Sequence, residues 1–193
     1  VEPGRSVVCS DVHLDAVVSG VPRFDDVANA VWETVEAAKQ CSANAWVFTG
    51  DWCDPDDGAT ALRCSAFACE VAAELRRHDV RSYWLAGNHD VVEDGHGTTT
   101  LSPLAWALGR DVTRLTTVYD QPQVGWFDYR HPVVALPYTA ASHTYDPVKF
   151  LRRSAEQLSG YRAAKSAAVT VLSARMLAGI LPGTETGVSR SGG

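Results

Sequence analysis

Three short stretches of the chain carry residue types that do chemistry together: Asp11-Val-His13, Gly50-Asp51-Trp-Cys-Asp54 and Gly87-Asn88-His89-Asp90. If Asp11 and His13 end a strand, the period-two alternation of side chains puts both on one side, where they can grip one cation. Asp51 has two carboxylate oxygens and can bridge that cation to a second, for which Asn88 offers a neutral oxygen. Mixed oxygen and nitrogen donors without thiolate suit Mn²⁺, Fe or Zn²⁺, and of these Mn²⁺ is favoured here. Two such ions about 3.5–4 Å apart clamp a phosphate and lower the pKa of a bridging water so that it attacks at neutral pH. His89 is then left for a different task, protonating the leaving oxygen or stabilising charge on the phosphoryl group. Asp54 can accept a hydrogen bond from that imidazole and fix its tautomer.

The elements around these stretches explain how they could meet. Ser6 to Ser10, Ala45 to Phe48 and Ser82 to Ala86 are short apolar runs without polar alternation, as in strands of a parallel sheet buried on both faces. Each ends at one of the three stretches, and ligands of parallel sheets collect at the carboxyl ends of strands. Between them, Val27 to Gln40 has apolar residues at helical spacing (Val27, Ala30, Val31, Val35, Ala38) after the acidic pair Asp25 and Asp26. A second helix is expected from about Ala59 to His78, with Leu62, Ala66, Cys69 and Ala73 on its apolar face. Strand, helix, strand, helix, strand makes two βαβ units with right-handed crossovers. Beyond Asp90 the pattern changes. Ser102 to Gly109 reads as a short helix, and Thr113–Tyr119, Val124–Tyr129 and Pro132–Leu136 read as strands of a second, partly antiparallel sheet. Asp146-Pro147 caps a helix running to about Leu158, Ala167–Leu172 is a last buried strand, and residues 182–193 are expected to be a disordered tail.

At 193 residues, 46% apolar and 21% charged, the chain is expected to form one globular domain. No apolar run approaches the roughly 18 residues that span a bilayer, so no membrane partner is expected. A formal charge of −6 without a Lys/Arg cluster weighs against a broad phosphate-binding face, although a nucleic acid could still be held through metal ions. Five cysteines, an odd number without a C-x-x-C pair, point to reduced thiols and a cytoplasmic location. Cys9, Cys64 and Cys69 read as small buried hydrophobes. Trp32, Trp46, Trp84 and Trp106 read as core, with Trp52 buried beside the site. His78, His96, His131 and His143 read as solvated, and Asp90 as either a functional residue or a turn or helix cap.

The motifs differ in specificity. A D-x-H triplet arises in about one of two shuffles of this composition, whereas Gly-Asn-His-Asp arises in about one of two thousand. In this order and at these strand ends, D-x-H, G-D-x-x-D and G-N-H-D resemble the calcineurin-like metallophosphoesterase superfamily, over about residues 5–180. The resemblance implies an α/β fold, a four-layer α/β/β/α sandwich of two mixed sheets flanked by helices, with a dinuclear metal site and phosphoester hydrolysis. On the matching positions it implies Asp11, His13, Asp51 and Asn88 as metal ligands, His89 as the catalytic histidine and Asp54 as its partner. The protein Ser/Thr phosphatase branch continues its second motif with Arg-Gly where this chain has Pro55-Asp56. That branch is therefore disfavoured; the layout looks closer to bacterial or phage phosphodiesterases and the DNA-repair nuclease branch, a resemblance that implies phosphodiester or nucleic-acid substrates ahead of phosphomonoesters.

The chain departs from the family pattern after its last strand. The superfamily adds a His after a later strand and a Gly-His-x-His segment, whereas here Ala174 falls about where that His belongs and Gly193 ends the sequence. The first ion keeps Asp11, His13 and Asp51 while the second keeps Asp51 and Asn88, which leaves occupancy by one metal, or none, open. Losing ligands to the metal should cost at least the 10–100-fold in affinity that losing their hydrogen-bond partners costs. Weak or absent activity is the expectation for this chain alone. A truncated gene product acting as a binding module, or a partner chain completing the metal site, would each account for the gap.

Overall fold

The computed structural model describes residues 5–92, 98–108, 115–126, 131–138, 146–160 and 170–173. Four strands make a parallel sheet: β1 (Ser6–Cys9), β4 (Ala45–Phe48), β5 (Arg81–Leu85) and β6 (Thr116–Tyr119), side by side in that order. Between β1 and β4 come a two-stranded hairpin, β2 (Val17–Val18) with β3 (Val21–Pro22), and then helix α1 (Phe24–Gln40). Helix α2 (Gly58–Arg77) joins β4 to β5, and α3 (Ser102–Leu108) precedes β6. The second sheet holds β7 (Gln123–Trp126), antiparallel to β8 (Pro132–Leu136), which runs parallel to β9 (Thr170–Ser173). Helix α4 (Pro147–Ser159) lies between β8 and β9 in sequence.

Alternation along the strands sorts their side chains into layers. From the first sheet, Trp46, Phe48 and Trp84 pack with Val31, Val35, Phe67, Val71 and Leu75 of α1 and α2, and with Leu104 of α3. From the other face of the same strands, Ala45, Val47, Tyr83, Leu85 and Tyr119 meet Val133, Ala135 and Leu172 of the second sheet. The far face of that sheet, Val134 and Leu136, is covered by Leu158 of α4. This is the α/β/β/α order expected, with the described strands of the first sheet all parallel and the second sheet mixed. The second sheet is tied to the first at one end, where the Tyr138 N–H donates to the Ala86 carbonyl at 2.9 Å.

Several expectations are corrected. The strand expected from Thr113 belongs to the parallel sheet, because α3 makes the β5-to-β6 passage a third crossover. The Ser82 and Thr116 hydroxyls bond at 3.1 Å, and Tyr83 stacks on Tyr119. Helix α2 buries Cys64, Phe67, Ala68, Val71 and Leu75, while Leu62 is 70% exposed and Ala66 and Ala73 face solvent. Both stripes have helical period in this alanine-rich helix, and the one carrying Phe67, Val71 and Leu75 has more apolar area to remove from water. Trp106 is 72% exposed rather than core. It sits two residues from the buried Leu104, about 200° around the helix. The expectations for His96, His143, Ala174 and the tail at 182–193 lie outside the described residues.

Candidate metal centre

The three motif-bearing chain ends are held together mainly by backbone. Where β1 and β4 stop, their hydrogen bonding continues into the loops. The Thr49 N–H donates to the Cys9 carbonyl at 3.0 Å and Asp11 N–H to Gly50 at 2.9 Å. The Asp51 carbonyl then accepts from both Val12 and His13, at 2.9 and 3.1 Å, and Leu14 N–H donates to Trp52 at 3.0 Å. Loops 10–14 and 49–52 thus lie side by side, with His13 beside Asp51. From the other flank, the His89 N–H donates to Asp51 Oδ1 at 3.2 Å.

This pairing needs unusual torsions. Gly50 has φ 120°, and Asp11, His13 and Asp51 have φ of 54°, 45° and 63°, the left-handed region. A non-glycine residue there is uncommon, and each such residue costs on the order of 1 kcal/mol. Half of the six left-handed non-glycine residues among those described belong to the predicted ligand set, as strain held at a working site would be. Period-two alternation does not govern Asp11 and His13, because both lie past the end of β1 in left-handed turns.

His13, Asp51 and His89 form the resulting trio: one potential ligand atom from each lies within 4.8 Å of the others. The His13 and His89 rings meet edge-on with centroids 5.0 Å apart. Two imidazoles and a carboxylate are a donor set that fits Mn²⁺, Fe or Zn²⁺. Asp11 is not one of the trio; its exposed carboxylate accepts from the Ser10 hydroxyl. Asn88 is exposed on the same turn as His89.

His89 is hydrogen-bonded to Asp54. Its Nδ1 lies 2.7 Å from Asp54 Oδ2, so that Nδ1–H donates to the carboxylate and Nε2 is left for other work. That hydrogen bond raises the proton affinity of His89 above the ordinary imidazole value against the opposing effect of burial, and the charges of Asp54, Asp51 and Asp90 add to it.

Two carboxylates stand in supporting positions, of which the sequence singled out Asp90 but not Asp15. Asp15 Oδ1 accepts the Asp54 N–H at 2.9 Å and so anchors the loop that carries His89's partner. Asp90, read above as either a functional residue or a turn or helix cap, is fully buried. It accepts from Asp51 N–H at 3.0 Å, Trp52 N–H at 2.9 Å, Cys53 N–H at 3.3 Å, Gly87 N–H at 2.8 Å and the Thr100 hydroxyl at 2.8 Å. A signal existed in principle: a left-handed turn has N–H groups that no strand neighbour satisfies, and a nearby Asp is the usual acceptor.

A sequence model of the calcineurin-like phosphoesterases matches residues 4–163. The chain belongs to this family. No curated protein matches the chain significantly. Membership makes this calcineurin-like phosphoesterase a relative of metal-dependent hydrolases, and all three loops of the candidate centre lie inside the matched span. No helix among the described residues is long and apolar enough to cross a membrane.

Proposed function

We propose that this chain is a metal-dependent phosphodiesterase in which His89 is the general acid. The observation that carries the reading is the convergence of His13, Asp51 and His89 from three strand ends, with Asp54 hydrogen-bonded to His89. His13 and Asp51 would hold a divalent ion, Mn²⁺ in the first instance, with Asp11 and Asn88 as further oxygen donors at the rim. When bound, such an ion would supply Lewis acidity for the phosphoryl oxygens and for an attacking water. Asp54 keeps the Nδ1–H of His89 occupied, so Nε2 presents the proton that the departing alkoxide needs. The Asp51 carboxylate, which would help hold the ion, accepts the His89 N–H and is thereby joined directly to the residue that carries the acid.

Substrate charge favours a diester. Residues 6–16, 45–58 and 82–92 contain no Lys or Arg, while Asp11, Asp15, Asp51, Asp54 and Asp90 crowd the same end of the sheet. A monoester dianion would meet more repulsion there than a diester monoanion. Nucleic acid is one such diester, and a short or single-stranded segment suits a chain of charge −6 better than a long duplex. All five cysteines are free, which supports a reducing compartment such as the cytoplasm.

The test is hydrolysis of an aryl phosphodiester with added Mn²⁺, wild type against His89→Ala. Loss of the acid should cost about 100-fold or more in rate. Equal rates would remove His89 from the chemistry and leave a metallophosphoesterase fold used as a binding module.

A further inference from the structure

We propose that Asp90 is the positioning residue of this centre: its buried carboxylate locks the loop bearing Asp51 to the loop bearing Asn88 and His89, and so sets the spacing of the metal-binding groups. The inference rests on the reading of His13 and Asp51 as metal-holding groups with His89 beside them as the acid, and adds to it a residue that touches neither metal nor substrate.

Four of the five groups that Asp90 accepts are backbone N–H groups, and all four lie in the two loops that meet at the centre. Oδ2 takes the N–H of Asp51 and that of Gly87, one from each loop, so a single oxygen spans the junction. Oδ1 takes Trp52, Cys53 and the Thr100 hydroxyl, while the Asp90 carbonyl accepts the Thr100 N–H at 2.8 Å. An apolar residue at 90 would strand all five donors, four backbone N–H groups and the Thr100 hydroxyl. A carboxamide would offer one acceptor oxygen and turn its NH₂ toward N–H groups. The two loops also meet closely at Gly87, where a Cβ would collide with Asp51 Oδ1 and the Asp51 nitrogen. Asp51 is thus pressed against Gly87 and held there by Asp90, in a left-handed conformation its own torsional preference opposes. A carboxylate is costly to bury, and the donors here are arranged to satisfy that charge.

The test compares wild type, Asp90→Asn, Thr100→Val and Leu75→Ala, the last opening a cavity near the far end of α2. In the metal-free proteins, amide hydrogen exchange in segments 50–54 and 86–90 should accelerate about tenfold or more in Asp90→Asn and leave β4 and β8 protected. Thr100→Val, which keeps the carboxylate and loses one of its bonds, should show the same pattern more weakly, and serves if Asp90→Asn does not fold. Mn²⁺ affinity by calorimetry should fall about 10–100-fold in Asp90→Asn, the range usual for hydrogen-bond partners of metal ligands. It should be unchanged in Leu75→Ala even though that protein melts earlier. Unchanged exchange in the two segments, or equal loss of Mn²⁺ affinity in Leu75→Ala, would overturn the positioning role. A wild type that binds no Mn²⁺ would instead overturn the metal-site reading, while the exchange pattern would still decide whether Asp90 locks the loops.

Discussion

Asp54 and His89 form a pair whose consequence can be read as a titration. Because the hydrogen bond raises the folded-state proton affinity of His89, the pair contributes stability that is fully present below the ordinary imidazole pKa and is lost as pH rises through the raised value. Both side chains are well exposed, so the effect on folding is small and the useful readout is the imidazole itself. In Asp54→Asn the His89 pKa should fall back toward the ordinary value, measured by NMR titration of the metal-free protein. A catalytic acid with a lowered pKa should also move the alkaline limb of activity to lower pH. No fall on substitution would mean that Asp54 does not tune this histidine. A second residue-scale prediction concerns Gly87: Gly87→Ala places a methyl group on the Asp51 carboxylate and backbone, and should destabilise by about 1–3 kcal/mol in a thermal melt. The identity of these residues was legible because Gly-Asn-His-Asp is rare by chance. Their arrangement was not: the alternation argument for Asp11 and His13 assumed extended backbone where the chain turns left-handed. Asp90 was noticed but its role was not legible, because that role lies in N–H groups of other residues.

At the scale of elements, what decides which side of a helix faces inward is apolar area rather than periodicity alone. In α2, Leu62→Ala should change stability by no more than about 0.5 kcal/mol, whereas Leu75→Ala should cost about 2–5 kcal/mol, compared by denaturant unfolding. Equal losses would return the buried face to the stripe through Leu62, Ala66 and Cys69. The start of this helix was legible to within a residue or two. Its cap is Asp57, whose Oδ1 accepts the Ala59 and Thr60 N–H groups at 2.8 and 2.9 Å, in the turn that also leads away from Asp54. The β2–β3 hairpin went unread, although Ser19-Gly20 between valines is a usable signal. Both residues have positive φ, 53° and 78°, as a two-residue turn with right-handed strand twist requires. Strands of two residues are too short for any periodicity to show. The strand at Thr116–Tyr119 was found, but its sheet was not, since membership depends on a long-range pairing that sets Leu85 opposite Tyr119 and stacks Tyr83 diagonally on the Tyr119 ring.

For the whole molecule, the layer order followed from apolar runs that alternate with amphipathic helices, because strands such as Ala45–Phe48 bury both faces and need a cover on each. The centre lies where those layers leave three chain ends together, so a ligand there should brace the folded state and not the unfolded chain. At one hundred times its dissociation constant, a single ion bound only by the folded protein adds about 2.7 kcal/mol. For a chain of this size that raises the melting temperature by roughly 5–10 °C. Mn²⁺ added to chelator-treated protein should give such a shift by differential scanning fluorimetry, and EDTA should reverse it. Asp51→Asn is the informative control, because Asn tolerates the left-handed torsion that Asp51 adopts and keeps the local fold while removing the charge. Its metal-free melting point should stay close to that of wild type while most of the Mn²⁺ shift disappears. A full shift in Asp51→Asn would place the ion somewhere other than the junction of β1, β4 and β5, and the hydrolase chemistry built on His13, Asp51 and His89 would lose its site.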